Sequence, residues 1–302
     1  MRTIPSRTPL TGSARIAGEA LLVPARAACS APLLVRALIA AVLTALLLAG
    51  CVGRVDPAVL AGNAGLAPVS FSGTYFDLVG YERGTGPVLR VYIEGDGMAW
   101  RTWNRPSSDP TPKRPVGLML AAKDTNDAVL YLARPCQYVE GGQRRNCTTP
   151  LWTSARFSEP VIAEMNAFLD QAKARAHADR LKLLGYSGGG CVALLLAERR
   201  QDVDVVVTVA GNIDHPFWTR WHNVTPLHNS LDPLADKTAL RSVRQLHIVS
   251  RDDSVMPPSI AEHYAAELNA PGKVRIVTVD GMGHTGDWQD VVPGILAQSG
   301  LW

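Results

Sequence analysis

Three polar side chains of this 302-residue chain, Ser187, Asp253 and His284, each stand in a short turn that follows an apolar run. Ser187 is the centre of the pentapeptide Gly-Tyr-Ser-Gly-Gly, residues 185–189, which separates the apolar run 181–184 from a helix-like run. A serine hydroxyl becomes an effective nucleophile when an imidazole removes its proton and a carboxylate orients the imidazole. The three residue types therefore predict covalent attack on a carbonyl group. The alternative is a glycine-rich turn that carries a passive serine or binds a phosphate.

The pentapeptide has the G-x-S-x-G pattern between a predicted strand and a predicted helix, and it resembles the nucleophile elbow of the α/β-hydrolase superfamily. In that family the chain order is nucleophile, acid, histidine, and residues 187, 253 and 284 follow this order. The resemblance extends from Ser70 to the C-terminus. It implies an α/β-hydrolase fold, an acyl-enzyme intermediate, and a small-molecule acyl substrate, either a carboxylic ester or a thioester.

Two adjacent aspartates compete for the role of the acid. Asp252 and Asp253 follow the apolar run 245–249 and precede Pro257. Asp253 lies three residues after a small residue and four before the proline, which is the position of the acid in the family that the chain resembles. Asp252 remains the alternative, and one of the two can instead cap the helix that starts after Pro257.

His284 lies in the glycine-rich stretch 280–287, directly after the apolar run 274–279. Imidazole suits the role of base because its ordinary pKa lies near working pH, so it can take the serine proton and return it. His215, His222 and His228 cluster after another apolar run, but their spacing matches no metal-binding motif. That spacing favours a polar loop, and no metal site is expected.

Two backbone N–H groups are expected to form an oxyanion hole. Gly188 directly follows the nucleophile and would supply one of them. In the family that the chain resembles, the other comes from the loop after an earlier strand, so Asp96 or Gly97 would supply it here. Glu94 stands where that family usually has a histidine, and a carboxylate disfavours an anionic intermediate unless it is turned away or paired. A simple turn or a metal-binding loop is the alternative for this stretch.

Short apolar runs alternate with helical patterns from residue 71 onward. The runs are rich in Val, Ile and Leu without clean alternation, as parallel strands buried on both faces are. The expected fold class is therefore α/β, with a mostly parallel sheet and helices on both faces. The expected strands are Thr74–Tyr81, Val88–Glu94, Ala128–Ala133, Leu181–Tyr186, Val203–Ala210, Arg244–Ser250 and Val274–Val279, and the expected helices are Pro160–Ala178, Gly190–Arg200 and Ser259–Leu268.

The first 50 residues are typical of a secretory signal. Arg36 precedes a short apolar segment, residues 37–49, which is shorter than the roughly 20 residues that span a bilayer. The sequence Leu-Ala-Gly-Cys over residues 48–51 resembles the lipobox of bacterial lipoproteins, which implies a lipid on Cys51; a buried or anchoring helix with a chance cysteine is the alternative. Residues 51–70 are then a lipidated cysteine and flexible tether, and 71–302 the hydrolase domain. The expected location is the cell envelope of a bacterium, lipid-anchored and facing the periplasm, and Val52 favours the outer membrane.

Three cysteines fall in the predicted domain. Cys136 and Cys147 flank a polar, glycine-containing loop, and an oxidising compartment permits a disulfide between them; two free thiols are the alternative. Cys191 falls at the start of an apolar helical run, which indicates a small buried residue. No cysteine pair has the spacing of a zinc site.

Composition excludes some function classes. Five of the 30 basic residues and one of the 27 acids lie in residues 1–50, so the near-neutral remainder offers no basic face for nucleic acid. The glycine run 188–190 lacks the Lys-Ser/Thr of a phosphate loop, so no cofactor is expected. The region 212–233 is expected to cap the site, and the proline-rich stretch 105–115 to form a surface loop. A non-catalytic envelope lipoprotein that uses the same fold as a binding scaffold is the rival hypothesis, and a transferase or haloperoxidase-like relative is a third.

Overall fold

The computed structural model describes residues 55–302, which belong to one compact unit, Arg54–Trp302. The predicted signal peptide, residues 1–50, and the predicted lipidation of Cys51 lie outside the described residues. None of the helices within the described residues is both long and apolar enough to span a bilayer.

An eight-stranded sheet forms the centre of this unit. Its strands lie in the order β1-β2-β6-β3-β7-β8-β9-β10, and the six from β6 to β10 in that order run parallel. β1 and β2 are the antiparallel edge. The strands of this sheet are β1 Ala67–Ser72, β2 Asp77–Arg83, β3 Val88–Ile93, β6 Val129–Leu132, β7 Arg180–Tyr186, β8 Val203–Val209, β9 Arg244–Ser250 and β10 Val274–Val279, and the separate hairpin is β4 Trp100–Thr102 with β5 Arg105–Pro106.

Helices cover both faces of the sheet, as the sequence predicts. The helices are α1 Pro57–Asn63, α2 Val116–Lys123, α3 Glu159–Arg175, α4 Gly188–Glu198, α5 His215–Trp221, α6 Pro258–Leu268 and α7 Trp288–Ser299, and two short 3-10 helices span Gly141–Arg144 and Thr149–Trp152. α3, α4 and α6 pack with one set of strand side chains into one apolar core, whereas α1, α2 and α7 pack into the other. Successive strand residues alternate between the two cores: Leu130 and Leu132 point to the first, Val129 and Tyr131 to the second. Both cores are built from side chains of this unit.

The tether predicted over residues 51–70 is wrong from Pro57 onward. Asp56 accepts hydrogen bonds from the N–H groups of Ala58 and Val59, and with Pro57 in the first turn it starts α1. β1 follows and pairs with β2. Only Phe71 of β1 is buried, because the strand lies at the sheet edge with one face in solvent. Its composition therefore resembled that of a linker.

Other boundaries move by a few residues. The strand predicted over 74–81 begins at Asp77, since residues 73–76 form the turn after β1. α2 and α7 were not predicted. α2 is short and almost uniformly apolar, so it has no polar face that would reveal helical periodicity. α7 contains Pro293, which normally argues against a helix interior.

The predicted disulfide between Cys136 and Cys147 is confirmed, with the two Cα atoms 5.6 Å apart. Cys136 packs with Ala99 and Trp152 in a small third core, which ties the loop between β6 and α3 to the segment after β3. Cys191 is the free cysteine of the described residues, and it is buried as expected.

Replacing both disulfide cysteines, Cys136→Ser with Cys147→Ser, is expected to lower the free energy of unfolding by about 2–3 kcal/mol. The bond closes a loop of 11 residues and so restricts the unfolded chain. Urea denaturation of the two proteins measures the difference. A double variant that unfolds at the same urea concentration as the parent contradicts this expectation.

Candidate active site

The turn from β7 into α4 holds Ser187 at the carboxyl edge of the sheet. Ser187 has φ +50° and ψ −122°, a left-handed backbone conformation that costs free energy for any residue with a side chain. Gly185 and Gly189 make the turn possible: a Cβ on Gly185 would lie 2.1 Å from the carbonyl oxygen of Gly189. The chain reverses so sharply here that the serine side chain projects above the sheet, at the N-terminus of α4.

The three residues that the sequence singles out come together in one hydrogen-bonded chain. Ser187 Oγ lies 3.0 Å from His284 Nε2. His284 Nδ1 lies 2.8 Å from Asp253 Oδ2. Asp253 is buried, His284 is partly buried, and Ser187 reaches a cleft. A serine hydroxyl, an imidazole and a carboxylate thus lie in the relative positions that acyl transfer requires.

Of the two adjacent aspartates, Asp253 is the one that contacts the imidazole. Its other oxygen, Oδ1, accepts hydrogen bonds of 2.9 Å from the N–H groups of Val255 and Met256. Burial alone would raise the pKa of Asp253, but the His284 hydrogen bond and these two backbone donors outweigh it and hold the pKa below its ordinary value. Asp252 does not contact the imidazole and instead accepts a hydrogen bond from the N–H of Gly281 at 2.6 Å. This bond ties the turn that carries Asp253, the acid turn, to the loop 280–287 that carries His284, the histidine loop.

Backbone N–H groups surround the space in front of Ser187. Gly188 is the first residue of α4, so its N–H has no partner within the helix. The N–H of Gly95 donates to Glu94, and that of Met98 to the Pro110 carbonyl. The N–H groups of Asp96 and Gly97, between them, donate to no backbone group of residues 55–302, and both residues line the cleft.

The cleft at this site has a volume of about 230 Å³. Its walls include Met98, Pro112 and Val116 beside Ser187 and His284. The proline-rich stretch 105–115, expected as a surface loop, is therefore partly buried and forms one wall. The residue types of this stretch give no sign of that, because burial here depends on contacts with distant segments.

The cap predicted over residues 212–233 is wrong, since none of these residues lines the cleft. Phe217 stacks on His263 with ring centroids 4.0 Å apart. Trp218 donates to the carbonyl of Val255 at 2.8 Å. α5 thus packs beside the acid turn and against α6. Among the described residues, no group of three or more His, Cys, Asp or Glu side chains could hold a metal ion.

Solved structures with this arrangement of strands and helices are numerous. A serine hydrolase without lid from Xanthomonas campestris superposes with a TM-score of 0.51 and 14% identity over 77% of this chain and 92% of its own. An esterase from Pyrococcus furiosus superposes with a TM-score of 0.56 and 15% identity, over 83% of this chain and 95% of its own. An α/β serine hydrolase homologue from Coxiella burnetii superposes with a TM-score of 0.52 and 14% identity, over 78% of this chain and 97% of its own.

The protein has the α/β-hydrolase fold. No family model and no curated protein matches the sequence, so the likeness rests on three-dimensional structure. At 14–15% identity it establishes the fold alone.

Glu94 is the departure from the usual α/β-hydrolase pattern, and its carboxylate is turned into the protein. Oε1 accepts from the N–H groups of Gly95 and Gly117, at 2.9 and 3.3 Å. Oε2 accepts from the Tyr131 hydroxyl at 3.1 Å. Burial raises the pKa of Glu94 to about 7 despite these donors. At neutral pH the side chain is therefore neutral in a large share of molecules, which limits its repulsion of an anion in the cleft.

Stability should fall as pH rises through this titration. The folded protein holds a proton on Glu94 up to a pKa of about 7, whereas the ordinary value is 4.5. The folded state therefore binds more protons between these values, and the free energy of unfolding declines by up to about 3 kcal/mol across the interval and levels off above it.

Glu94→Gln is expected to remove this decline, because its amide oxygen can still accept from Gly95 and Gly117 and cannot ionise. Urea denaturation at several pH values between 4.5 and 7 compares the variant with the parent. If the free energy of unfolding declines equally steeply with pH in both proteins, groups other than Glu94 cause the decline.

Two buried arginines that sequence reasoning missed neutralise Asp96. Arg134 Nη1 lies 3.1 Å from Asp96 Oδ1, and Arg156 Nη1 lies 2.5 Å from Oδ2. Burial would raise the pKa of Asp96, but the two guanidinium groups outweigh it and hold the pKa below its ordinary value. A Cβ on Gly188 would lie 2.0 Å from Asp96 Oδ1, so this carboxylate lies directly beside the turn that carries Ser187. Asp96, Arg134 and Arg156 together therefore carry a net charge of +1 next to the site.

Two aromatic side chains hold the histidine loop in place. The carbonyl of His284 accepts from the Tyr186 hydroxyl at 2.8 Å and from Trp288 Nε1 at 2.9 Å. Tyr186 also stacks on the imidazole, with ring centroids 5.6 Å apart. A glycine-rich loop thus gains a defined position, because both the backbone and the ring of His284 are fixed.

Proposed function

We propose that the protein is a serine hydrolase that cleaves a carboxylic ester or thioester through an acyl-enzyme. The observation that carries this proposal is the hydrogen-bonded chain from Ser187 through His284 to buried Asp253, with 3.0 Å and 2.8 Å between the successive atoms. It occurs at the nucleophile turn of a fold shared with esterases. A scaffold that only binds would have no use for this alignment.

Each residue has a distinct role in the proposed reaction. Ser187 Oγ attacks the substrate carbonyl while His284 Nε2 takes its proton. Asp253 keeps the imidazole in the tautomer that accepts at Nε2 and stabilises the cation that forms. His284 then protonates the leaving group, and water attacks the acyl-enzyme by the same route.

Backbone donors would hold the negative charge of the tetrahedral intermediate. The N–H of Gly188 and that of Asp96 or Gly97 are the candidates, as the sequence predicts. The positive end of the α4 dipole and the cation excess of the Asp96–Arg134–Arg156 group act in the same direction.

The cleft favours a substrate with a short acyl group. Its volume of about 230 Å³ is below the range of roughly 300–1,000 Å³ that drug-sized ligands occupy. Met98, Pro112 and Val116 give the wall an apolar part, and Lys113 with Arg114 give it a basic part. A small ester or thioester fits both.

The chain is also proposed to be a lipoprotein of the bacterial cell envelope, facing the periplasm and held in the outer membrane by a lipid on Cys51. The supporting observation is the Leu-Ala-Gly-Cys sequence at the end of a short apolar segment. Metabolic labelling with a clickable fatty acid tests it: Cys51→Ala should remove the label from the full-length protein.

Hydrolysis of p-nitrophenyl esters of increasing acyl length by residues 52–302 tests the proposed reaction. We expect turnover that is fastest for the shortest chains, with a burst of p-nitrophenol if deacylation is slow. A thioester of the same short acid, followed by thiol release, separates the two substrate classes. Folded protein that hydrolyses neither would leave binding as the function to pursue.

A further inference from the structure

The hairpin formed by β4 and β5 carries an unusual group of exposed side chains. Trp103 at its tip is 90% exposed and Trp100 is 43% exposed. Arg101 and Arg105 are exposed beside them and form no ion pair within residues 55–302. A tryptophan side chain is normally mostly buried, so two exposed tryptophans in a seven-residue hairpin indicate a surface that meets a partner.

The hairpin rises from the rim of the candidate active site. Its two flanking segments are tied together by hydrogen bonds from Met98 N–H to the Pro110 carbonyl and from Ser107 N–H to the Ala99 carbonyl. Met98 and Pro112 line the cleft with Ser187. Trp152 Nε1 donates to the Ser107 carbonyl at 3.1 Å, beside the disulfide, so the base of the hairpin is fixed to the body.

This rim is rich in basic side chains, whereas the chain from residue 51 onward is nearly neutral as a whole. Residues 100–114 contain four basic side chains, Arg101, Arg105, Lys113 and Arg114, and one acid, Asp109. Arg114 pairs with Asp287, whereas the other three basic side chains form no ion pair within residues 55–302. Residues 51–302 as a whole have a net charge of −1. Positive charge is therefore concentrated where the aromatic side chains are exposed, a combination suited to anionic lipid headgroups and the adjoining acyl region.

The chain enters the described fold at the same rim. The N–H of Val55 donates to the carbonyl of Lys113 at 3.1 Å, and Lys113 lines the cleft. Three residues lie between Cys51 and Val55, so the two Cα atoms are at most about 14 Å apart in an extended chain. A lipid on Cys51 would hold this rim close to the membrane surface, so the short reach and the exposed tryptophans favour the same partner.

We propose that the hairpin 100–106 is a membrane-contact element that inserts Trp100 and Trp103 into an anionic bilayer surface and places the cleft opening beside the headgroups. Arg101 and Arg105 pair with the headgroup phosphates. A cleft so placed would receive substrates that carry a short acyl group at the membrane surface. This last consequence rests on the proposed hydrolase function, whereas the contact itself does not.

Vesicle sedimentation with residues 52–302, which lack Cys51, tests the contact without help from a lipid anchor. We expect binding to vesicles of phosphatidylcholine and phosphatidylglycerol in equal amounts, and weaker binding to phosphatidylcholine alone. Trp100→Ala with Trp103→Ala, and separately Arg101→Gln with Arg105→Gln, should each weaken binding to the mixed vesicles by about tenfold or more. The control, Lys273→Gln with Arg275→Gln, removes the same charge from the start of β10. This position lies at the amino ends of the parallel strands, away from the cleft, so the control should bind as the parent does.

Hydrolysis of a soluble p-nitrophenyl ester is measured on the same samples. Loss of vesicle binding with unchanged hydrolysis supports the proposal, because the variants then remain folded. If the parent binds no vesicles, or the hairpin variants bind as well as the control, the membrane contact is overturned. Vesicle binding by a parent that hydrolyses no ester leaves the contact standing and contradicts only the proposed function.

Discussion

Ser187→Ala is expected to lower kcat for a short p-nitrophenyl ester on the order of 10⁶-fold, with the fold and substrate binding intact. In the proposed reaction the hydroxyl forms the covalent bond, and Ser187 Oγ is the atom that faces His284 Nε2 at 3.0 Å. The residual turnover expected of the variant comes from the candidate backbone donors of Gly188 and the 94–97 loop, acting on water.

Ser254→Ala is the matched control, since Ser254 is an exposed serine in the turn that also carries Asp253. Its kcat should equal that of the parent. Steady-state kinetics on the three proteins, with circular dichroism to verify folding, measure the difference. Turnover by the Ser187 variant within tenfold of the parent would assign the nucleophile to another group.

Asp253→Asn is expected to lower kcat by about 10⁴-fold. The N–H groups of Val255 and Met256 both donate to Oδ1, so an asparagine must place its amide oxygen there. Its NH₂ group then faces His284 Nδ1 and donates to it. The imidazole is forced to carry its proton on Nε2, where it cannot accept the proton of Ser187.

Asp252→Asn is the control that separates the two adjacent acids. An amide oxygen at this position can still accept from the N–H of Gly281, and no hydrogen bond connects Asp252 to His284. Its kcat should stay within a few-fold of the parent. Equal losses in both variants would mean that the charge of the turn, and not the orientation of the imidazole, determines the rate.

Much of the candidate site could be predicted because each of its three residues follows an apolar strand. Parallel strands bring their carboxyl ends to one edge, so Ser187, Asp253 and His284 could be placed together from chain order alone. The sequence alone did not decide between Asp252 and Asp253. The backbone of their turn decides between them, because two of its N–H groups hold the Asp253 carboxylate in place.

The surroundings of the site were not readable, because they depend on contacts between distant segments. Arg134 and Arg156 lie 38 and 60 residues from Asp96 along the chain, and no local pattern connects them. The capping role expected of residues 212–233 failed because aromatic residues after a strand can pack outward on a neighbouring helix, as Phe217 does on His263. β1 was missed because an edge strand with one buried side chain resembles a linker.

The most direct test of the proposed hydrolase is to locate the adduct of a fluorophosphonate probe by mass spectrometry. Trypsin would release residues 183–199 as one peptide, in which Ser187 is the only serine. Cys191 in the same peptide is buried, and burial raises the pKa of its thiol, so it should not react. We predict a single adduct on Ser187, lost when the protein is unfolded before labelling. Folded protein with no adduct on this peptide would contradict the account, and the search would turn to a binding partner for the same fold.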